Sequence, residues 1–188
     1  MTRLLKAVIV PRPIAWVSSL SEDGIGNLAP HSFFTVASED PPIVQFTSVG
    51  TKDTLSNVNS TGEFVVCLAN LPLVGQVNST GTDYPPEVDE FEAVGLAVEP
   101  SETVRPPRVA DSPVAIECRT ENTLSFGVST VVFGRVTCIA IDEAVMEGDH
   151  PDVSLLAPLA RLGRNEWSTI GEVMKIDRIP WSRPGTGE

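Results

Sequence analysis

One tyrosine, three cysteines and two histidines in 188 residues are few, and each scarcity removes a class of chemistry. Cys67, Cys118 and Cys138 are an odd set at wide spacing with no CxxC, so buried reduced thiols are expected rather than a disulfide scaffold or a zinc site. His31 and His150 have no second donor at metal-ligand spacing, so no metal site is expected; His150 in the polar loop Glu147–Pro151 reads as solvated. No GxSxG is present and no cysteine stands in a nucleophile setting, which argues against serine and cysteine hydrolases. GxGxxG and Walker loops are also missing, against the usual dinucleotide and nucleoside triphosphate cradles. The acidic run Glu87–Glu92 lacks the oxygen spacing and glycine of a calcium loop. Positive charge is short as well, 13 Lys and Arg against 25 Asp and Glu. The net charge of −12 therefore lacks the footprint that phosphate-backbone binding needs, and nucleic acid is not an expected partner. No apolar run approaches the roughly 18 residues of a membrane helix. Met1–Val10 has neither the apolar length nor the cleavage pattern of a signal peptide, so a cytoplasmic protein with no membrane partner is expected.

What the chain does have is punctuation. Sixteen prolines and fourteen glycines cut it into short pieces, which disfavours a helical bundle. At 41% hydrophobic residues it can fill one sizeable core. One domain over residues 1–181 is expected, followed by a flexible tail at 182–188. Ile14–Leu20 and Asn27–Ala37, joined by the turn chemistry of Ser21-Glu22-Asp23-Gly24, predict a hairpin. Further strands are predicted at Ile43–Ser48, Glu63–Leu68, Val114–Thr123, from Leu124 onward, and at Val131–Ile141. Their spacing fits an antiparallel Greek-key barrel, a mainly β fold. Short helices are predicted at Lys52–Asn59 with Thr51 as N-cap and at Ser154–Leu162, and a short helix or turn at Leu71–Val77. Thr82–Phe91 reads as an irregular excursion ending in a helical turn.

Three segments carry candidate binding chemistry. Thr51-Lys52-Asp53-Thr54 combines the unpaired amides of a helix start with an ammonium and two hydroxyls, a set that suits phosphate oxygens. In Asn27-Leu28-Ala29-Pro30-His31-Ser32-Phe33, small residues at Ala29 and Ser32 would let a planar ring approach the backbone; Asn27 could meet the ring's polar edge and Phe33 could stack on it. Ser18 and Ser19 lie on the preceding strand, where only one of two adjacent side chains faces a given side. Taken singly, the segments are mostly better explained by a helix cap, strands, turns and core aromatics. Together they outline a cradle for a flat, phosphorylated cofactor.

The order of the pieces goes further. PRPIAWVSS, GNLAPHSFF, TKDTLSN, TGEFVV, DEFEAVGLAVEPS, PPRVADSPVAIEC, FGRV and LARLGRNEW run in series from about Leu5 to Trp181. The series resembles the flavin reductase-like, FMN-binding split-barrel family, in its flavoredoxin-like branch. The resemblance implies a homodimer with FMN at or near the subunit interface and hydride transfer from NAD(P)H to the flavin. The cofactor would carry the reaction, so no catalytic side chain is expected, in keeping with the lack of a convincing acid–base pair. It implies Ser18 or Ser19 near the phosphate or ribityl chain, and Asn27, Ala29 and Ser32 near the ring, in the strand that also carries Pro30 and His31. Phe33 would flank the ring, Thr51 to Thr54 would hold the phosphate, and Trp167 would cover the flavin. A flavin-dependent monooxygenase is a further implied partner. Two alternatives stay open: an FMN-carrying electron-transfer protein without a nicotinamide site, and a flavin-less dimeric binding module. The chain departs from the family pattern in having His31 where a bulky aromatic is usual, Arg164 in place of a second glycine, and a shorter N-terminal lead.

Overall fold

Alternation along the strands sends side chains into two separate buried layers. In β1 (Ala15–Leu20), Ala15 and Val17 join one cluster while Trp16 joins another; in the strand Glu63–Leu68, Phe64 and Val66 go one way and Val65 and Cys67 the other. A sheet buried on both faces needs a filled interior and a cover. Both are present in the computed structural model, which describes residues 1–181; the tail expected at 182–188 lies outside the described residues.

Seven antiparallel strands form the barrel: β1, β2 (Gly26–His31), β3 (Phe34–Ser38), β4 (Ile43–Val49), β5 (Glu63–Leu68), β6 (Val114–Phe126) and β7 (Ser129–Ile141). Their spatial order is β2-β1-β5-β6-β7-β4-β3. The two ends of this order are consecutive in sequence, so the sheet curls until β2 runs into β3 and the barrel is split there. The expected single strand Asn27–Ala37 is thereby corrected: it breaks at Ser32-Phe33, where the Thr47 amide donates to the Phe33 carbonyl at 2.9 Å and β3 turns away to pair with β4. The predicted separate strands after Val114 are instead one 13-residue β6 paired with a 13-residue β7, with bulges absorbing two register shifts.

The interior holds Val17, Val44, Phe46, Phe64, Val66 and Val132, closed at one end by Leu55 and Val58 of a helix. Phe46 and Phe64 meet edge to face with centroids 5.3 Å apart. A first helix, α1 (Thr2–Val8), is unforeseen in the sequence and carries no buried residue. The second, α2 (Asp53–Thr61), ends at Gly62 in the left-handed region with φ of 71°. Its N-cap is Lys52, not Thr51, and no side chain caps it. The outer layer packs Trp16, Val65 and Cys67 against Leu73 of a 3-10 turn (Leu71–Leu73), Val77 of α3 (Val74–Ser79), Phe91 of α4 (Glu90–Ala93) and Val109 further on. The helix predicted at Ser154–Leu162 is a single turn, Val153–Leu156, stopped by Ala157 in the left-handed region ahead of Pro158. Beyond it Arg12–Pro13, Ala160–Arg161 and Trp167–Ser168 form a small three-stranded sheet.

Candidate functional site

A cleft of about 540 Å³ opens where the barrel splits. One wall is the end of β2 and the link to β3, contributing Asn27, Ala29, Pro30, His31, Ser32 and Phe33. The floor is the start of α2, with Thr51, Lys52, Asp53 and Thr54. Ten of the thirteen expected site residues thus share one cavity. They come from two chain segments that approach each other because α2 plugs the barrel end next to β1 and β2.

The remaining three lie elsewhere. Ser18 is fully buried and its hydroxyl donates to the Pro107 carbonyl at 2.7 Å, tying β1 to the outer layer. Ser19 is fully buried too, its Oγ accepting from Asn27 Nδ2 at 3.0 Å and Asn57 Nδ2 at 3.2 Å. Neither lines the cleft, because β1 is covered on both faces. Trp167 opens onto an adjoining pocket of about 240 Å³ that meets the cleft at Pro30, Ser32 and Gly81.

Ser19 belongs to a buried polar chain that reaches the cleft. Asn27 Nδ2 also donates to Thr54 Oγ1 at 3.0 Å, and Thr54 Oγ1 stands 3.3 Å from His31 Nε2. Thr54 is only 1% exposed, and its hydroxyl is engaged in this network. His31 packs against Phe46 with ring centroids 4.8 Å apart. Burial pushes its pKa down to about 4; a backbone hydrogen bond with Thr47 partly opposes this, and the nearby Lys52 ammonium adds to it. At neutral pH the ring is uncharged and its Nε2 can accept the Thr54 hydroxyl proton.

The cleft's far side was not legible in sequence. It is the loop Thr80–Pro86, with Thr80, Gly81, Thr82, Asp83, Tyr84 and Pro86 in the wall, joined by Glu90 and by Lys6 of α1. The loop is fixed by the buried Trp16 Nε1, which donates to Thr80 Oγ1 at 2.8 Å. Asp83 reaches across to make an ion pair with Lys52, and that ammonium holds the Asp83 carboxyl below its ordinary range. Its hydroxyl- and glycine-rich composition was the one available signal. The acidic run also has a structural use. Asp89 accepts from the Gly26 amide at 3.1 Å and Glu90 from the Leu28 amide at 3.0 Å, so carboxylates cover the free edge of β2. Burial raises the Glu90 pKa, the Leu28 amide opposes this, and neighbouring Asp53 and Asp89 reinforce it. Among the described residues no cluster of His, Cys, Asp and Glu could hold a metal ion, and no helix is long and apolar enough to cross a membrane.

A mainly β split barrel with a polar cleft between its parted strands is the class of fold. Comparison with known proteins gives the particular family: residues 7–159 match the flavin reductase-like domain, and the chain belongs to that family. It is similar to nitrilotriacetate monooxygenase component B from Bacillus cereus, with 29% identity and a TM-score of 0.89 over 93% of this chain and 92% of that one. It is also similar to 2-nitrobenzoate 2-nitroreductase from Pseudomonas fluorescens, with 31% identity and a TM-score of 0.88 over 99% and 93%. Flavoredoxin of Desulfovibrio vulgaris shares the fold, with a TM-score of 0.83 at 21% identity over 88% and 90%. Family membership supports an oxidoreductase role in general.

Proposed function

We propose that this protein binds FMN in the cleft and works as an NAD(P)H:flavin oxidoreductase. The observation that carries the reading is the pairing of an uncapped, lysine-bearing start of α2 with the small-residue wall of β2 inside one cleft. The donor set fits the group. The helix's first amides have no side-chain acceptor and Lys52 supplies a cation, so a phosphate dianion can be held locally although the chain carries −12 overall. Ala29 and Ser32 leave room for a flat ring, and the cleft volume lies within the roughly 300–1,000 Å³ typical of ligand sites.

When bound, FMN supplies the N5 atom that takes a hydride from C4 of a nicotinamide. The chain's own work is to bind, orient and tune. Thr51, Lys52 and the amides of Asp53 and Thr54 hold the phosphate, for which Asp83 must yield the lysine. The buried chain from Asn57 through Ser19 and Asn27 to Thr54 keeps α2 and β2 in register, so that the phosphate and ring subsites stay a fixed distance apart. Ser18 and Ser19 act from behind the wall, and Trp167 acts from the adjoining pocket.

A homodimer is part of the reading. Val36, Leu124, Phe126 and Val128 on the barrel and Ile170, Met174, Ile176, Ile179 and Trp181 on the C-terminal stretch are exposed apolar side chains, a surface that suits a second copy. The likeness to a monooxygenase component B supports delivery of reduced flavin to a flavin-dependent monooxygenase.

The test is an absorption spectrum of the purified protein with added FMN, followed by anaerobic mixing with NADH and NADPH. Bound, bleachable flavin is expected. Flavin that binds but stays oxidised with both donors leaves an electron carrier, the second reading. A protein that neither colours nor quenches FMN fluorescence sinks both.

A further inference from the structure

The small sheet beside the cleft is built against its own electrostatics. Its register sets Arg12 directly opposite Arg161, and Arg161 directly opposite Trp167, so all three side chains share one face. Like charges directly across an antiparallel pair destabilise a sheet, and a carboxylate would normally relieve them. None does: among the described residues neither arginine has a carboxylate within 4.0 Å. Arg12 is only 7% exposed, donates to the Lys6, Ile9 and Leu162 carbonyls, and leaves its buried Nε without a partner. Burial and the Arg161 charge both press its pKa downward. Arg161 spends one N–H on the Arg164 carbonyl at 2.9 Å and lies 4.8 Å from the Trp167 ring centroid, so most of its donor fork is uncommitted.

Of these three residues Arg161 and Trp167 border the adjoining pocket, whose other walls are Ile14, Pro30, Ser32, Val77, Asn78 and Gly81. Gly81 lines both cavities, and a Cβ there would stand 3.2 Å from the Asn78 carbonyl and 3.5 Å from Pro30, so the wall they share is closely packed. We propose that the Arg161–Trp167 pocket is a second ligand site that takes a small aromatic carboxylate, its acid group on the Arg161 fork and its ring against Trp167. A guanidinium matches a carboxylate in bidentate geometry. The Trp167 indole offers a ring a stacking partner that inorganic phosphate cannot use. At about 240 Å³ the pocket falls below the usual span for drug-sized ligands, which suits one ring and excludes a dinucleotide. Its role as the place of a second substrate beside the cofactor rests on the flavin reading, whereas binding itself does not.

Calorimetric titration with benzoate, and with benzamide as the uncharged isostere, tests the site with and without FMN. Benzoate is expected to bind at least tenfold more tightly than benzamide, and Arg161→Gln to abolish that preference while FMN affinity stays unchanged. Equal binding of benzoate and benzamide overturns the proposal without needing a variant. Benzoate affinity unmoved by Arg161→Gln also overturns it, as does displacement of benzoate by equimolar inorganic phosphate. Benzoate binding to a protein that takes no FMN supports the pocket and fails the flavin reading, so the two fail separately.

Discussion

His31 gives the sharpest quantitative test, because its environment fixes both sign and size. Burial holds its pKa at about 4 in the folded chain, against about 6.5 unfolded. Above pH 6.5 the ring is neutral in both states and adds no pH dependence. Below it the unfolded chain takes up a proton that the folded chain refuses, so stability falls with pH until the folded pKa is reached. At about 1.36 kcal/mol per pH unit, the loss from this group is about 2 kcal/mol by pH 5 and about 3 kcal/mol by pH 4. Protonation also turns the Nε2 acceptor facing Thr54 into a donor and sets a second cation near Lys52. The assay is urea unfolding of wild type and His31→Gln at intervals from pH 7.5 to 4.5, reading the difference between the two stability curves. Carboxylate contributions are common to both and cancel. The difference is expected to be flat above pH 6.5 and to move in favour of the glutamine variant as pH falls. Parallel curves down to pH 4.5 would refute the burial argument, as would an imidazole proton resonance, assigned by its loss in the variant, that titrates near 6.5.

Three further outcomes follow from named contacts. Lys52→Ala should weaken FMN binding by about 1–3 kcal/mol, the scale of a charge-assisted hydrogen bond, while Asp83→Asn should tighten it by freeing the lysine; fluorescence quenching of titrated FMN reads both, and equal affinities in all three proteins would remove Lys52 from the phosphate site. Gly134→Ala should cost about 1–3 kcal/mol by overpacking, because its Cβ would stand 2.2 Å from Phe64 Cζ and 3.0 Å from Cys118 Cβ; an unchanged thermal midpoint would mean the barrel interior is looser than its contacts imply. Glu117→Ala should destabilise by about 3–5 kcal/mol, since the fully buried carboxylate accepts from Arg108 at 2.6 Å and from the Thr103 amide at 2.6 Å; chemical denaturation is the measure.

The strands were legible because alternation and turn residues are local signals, and the helix at 53–61 because Gly62 stops it. What lay hidden was each feature decided by a partner distant in sequence. Nothing in Asn27–Ala37 marks the break at Ser32-Phe33, since apolar alternation runs straight through it; the break comes from β4, whose Thr47 amide claims the Phe33 carbonyl. The family resemblance puts Ser18 or Ser19 near a ligand and period two lets only one of them face it, but nothing local tells whether both faces are covered. The cover is the segment around Pro107, which takes the Ser18 hydroxyl from the far end of an 89-residue separation. The cleft follows the same rule. Two of its sides, 27–33 and 51–54, are neighbours through consecutive strands and could be joined by the order of motifs alone. The third, Thr80–Pro86, is brought in by Trp16 gripping Thr80 and by Asp83 meeting Lys52. That third side is what gives the lysine a competitor. The residue read from sequence as a phosphate ligand is therefore half of an ion pair, and on the proposed reading phosphate affinity would be set by the difference between two anions contending for one ammonium.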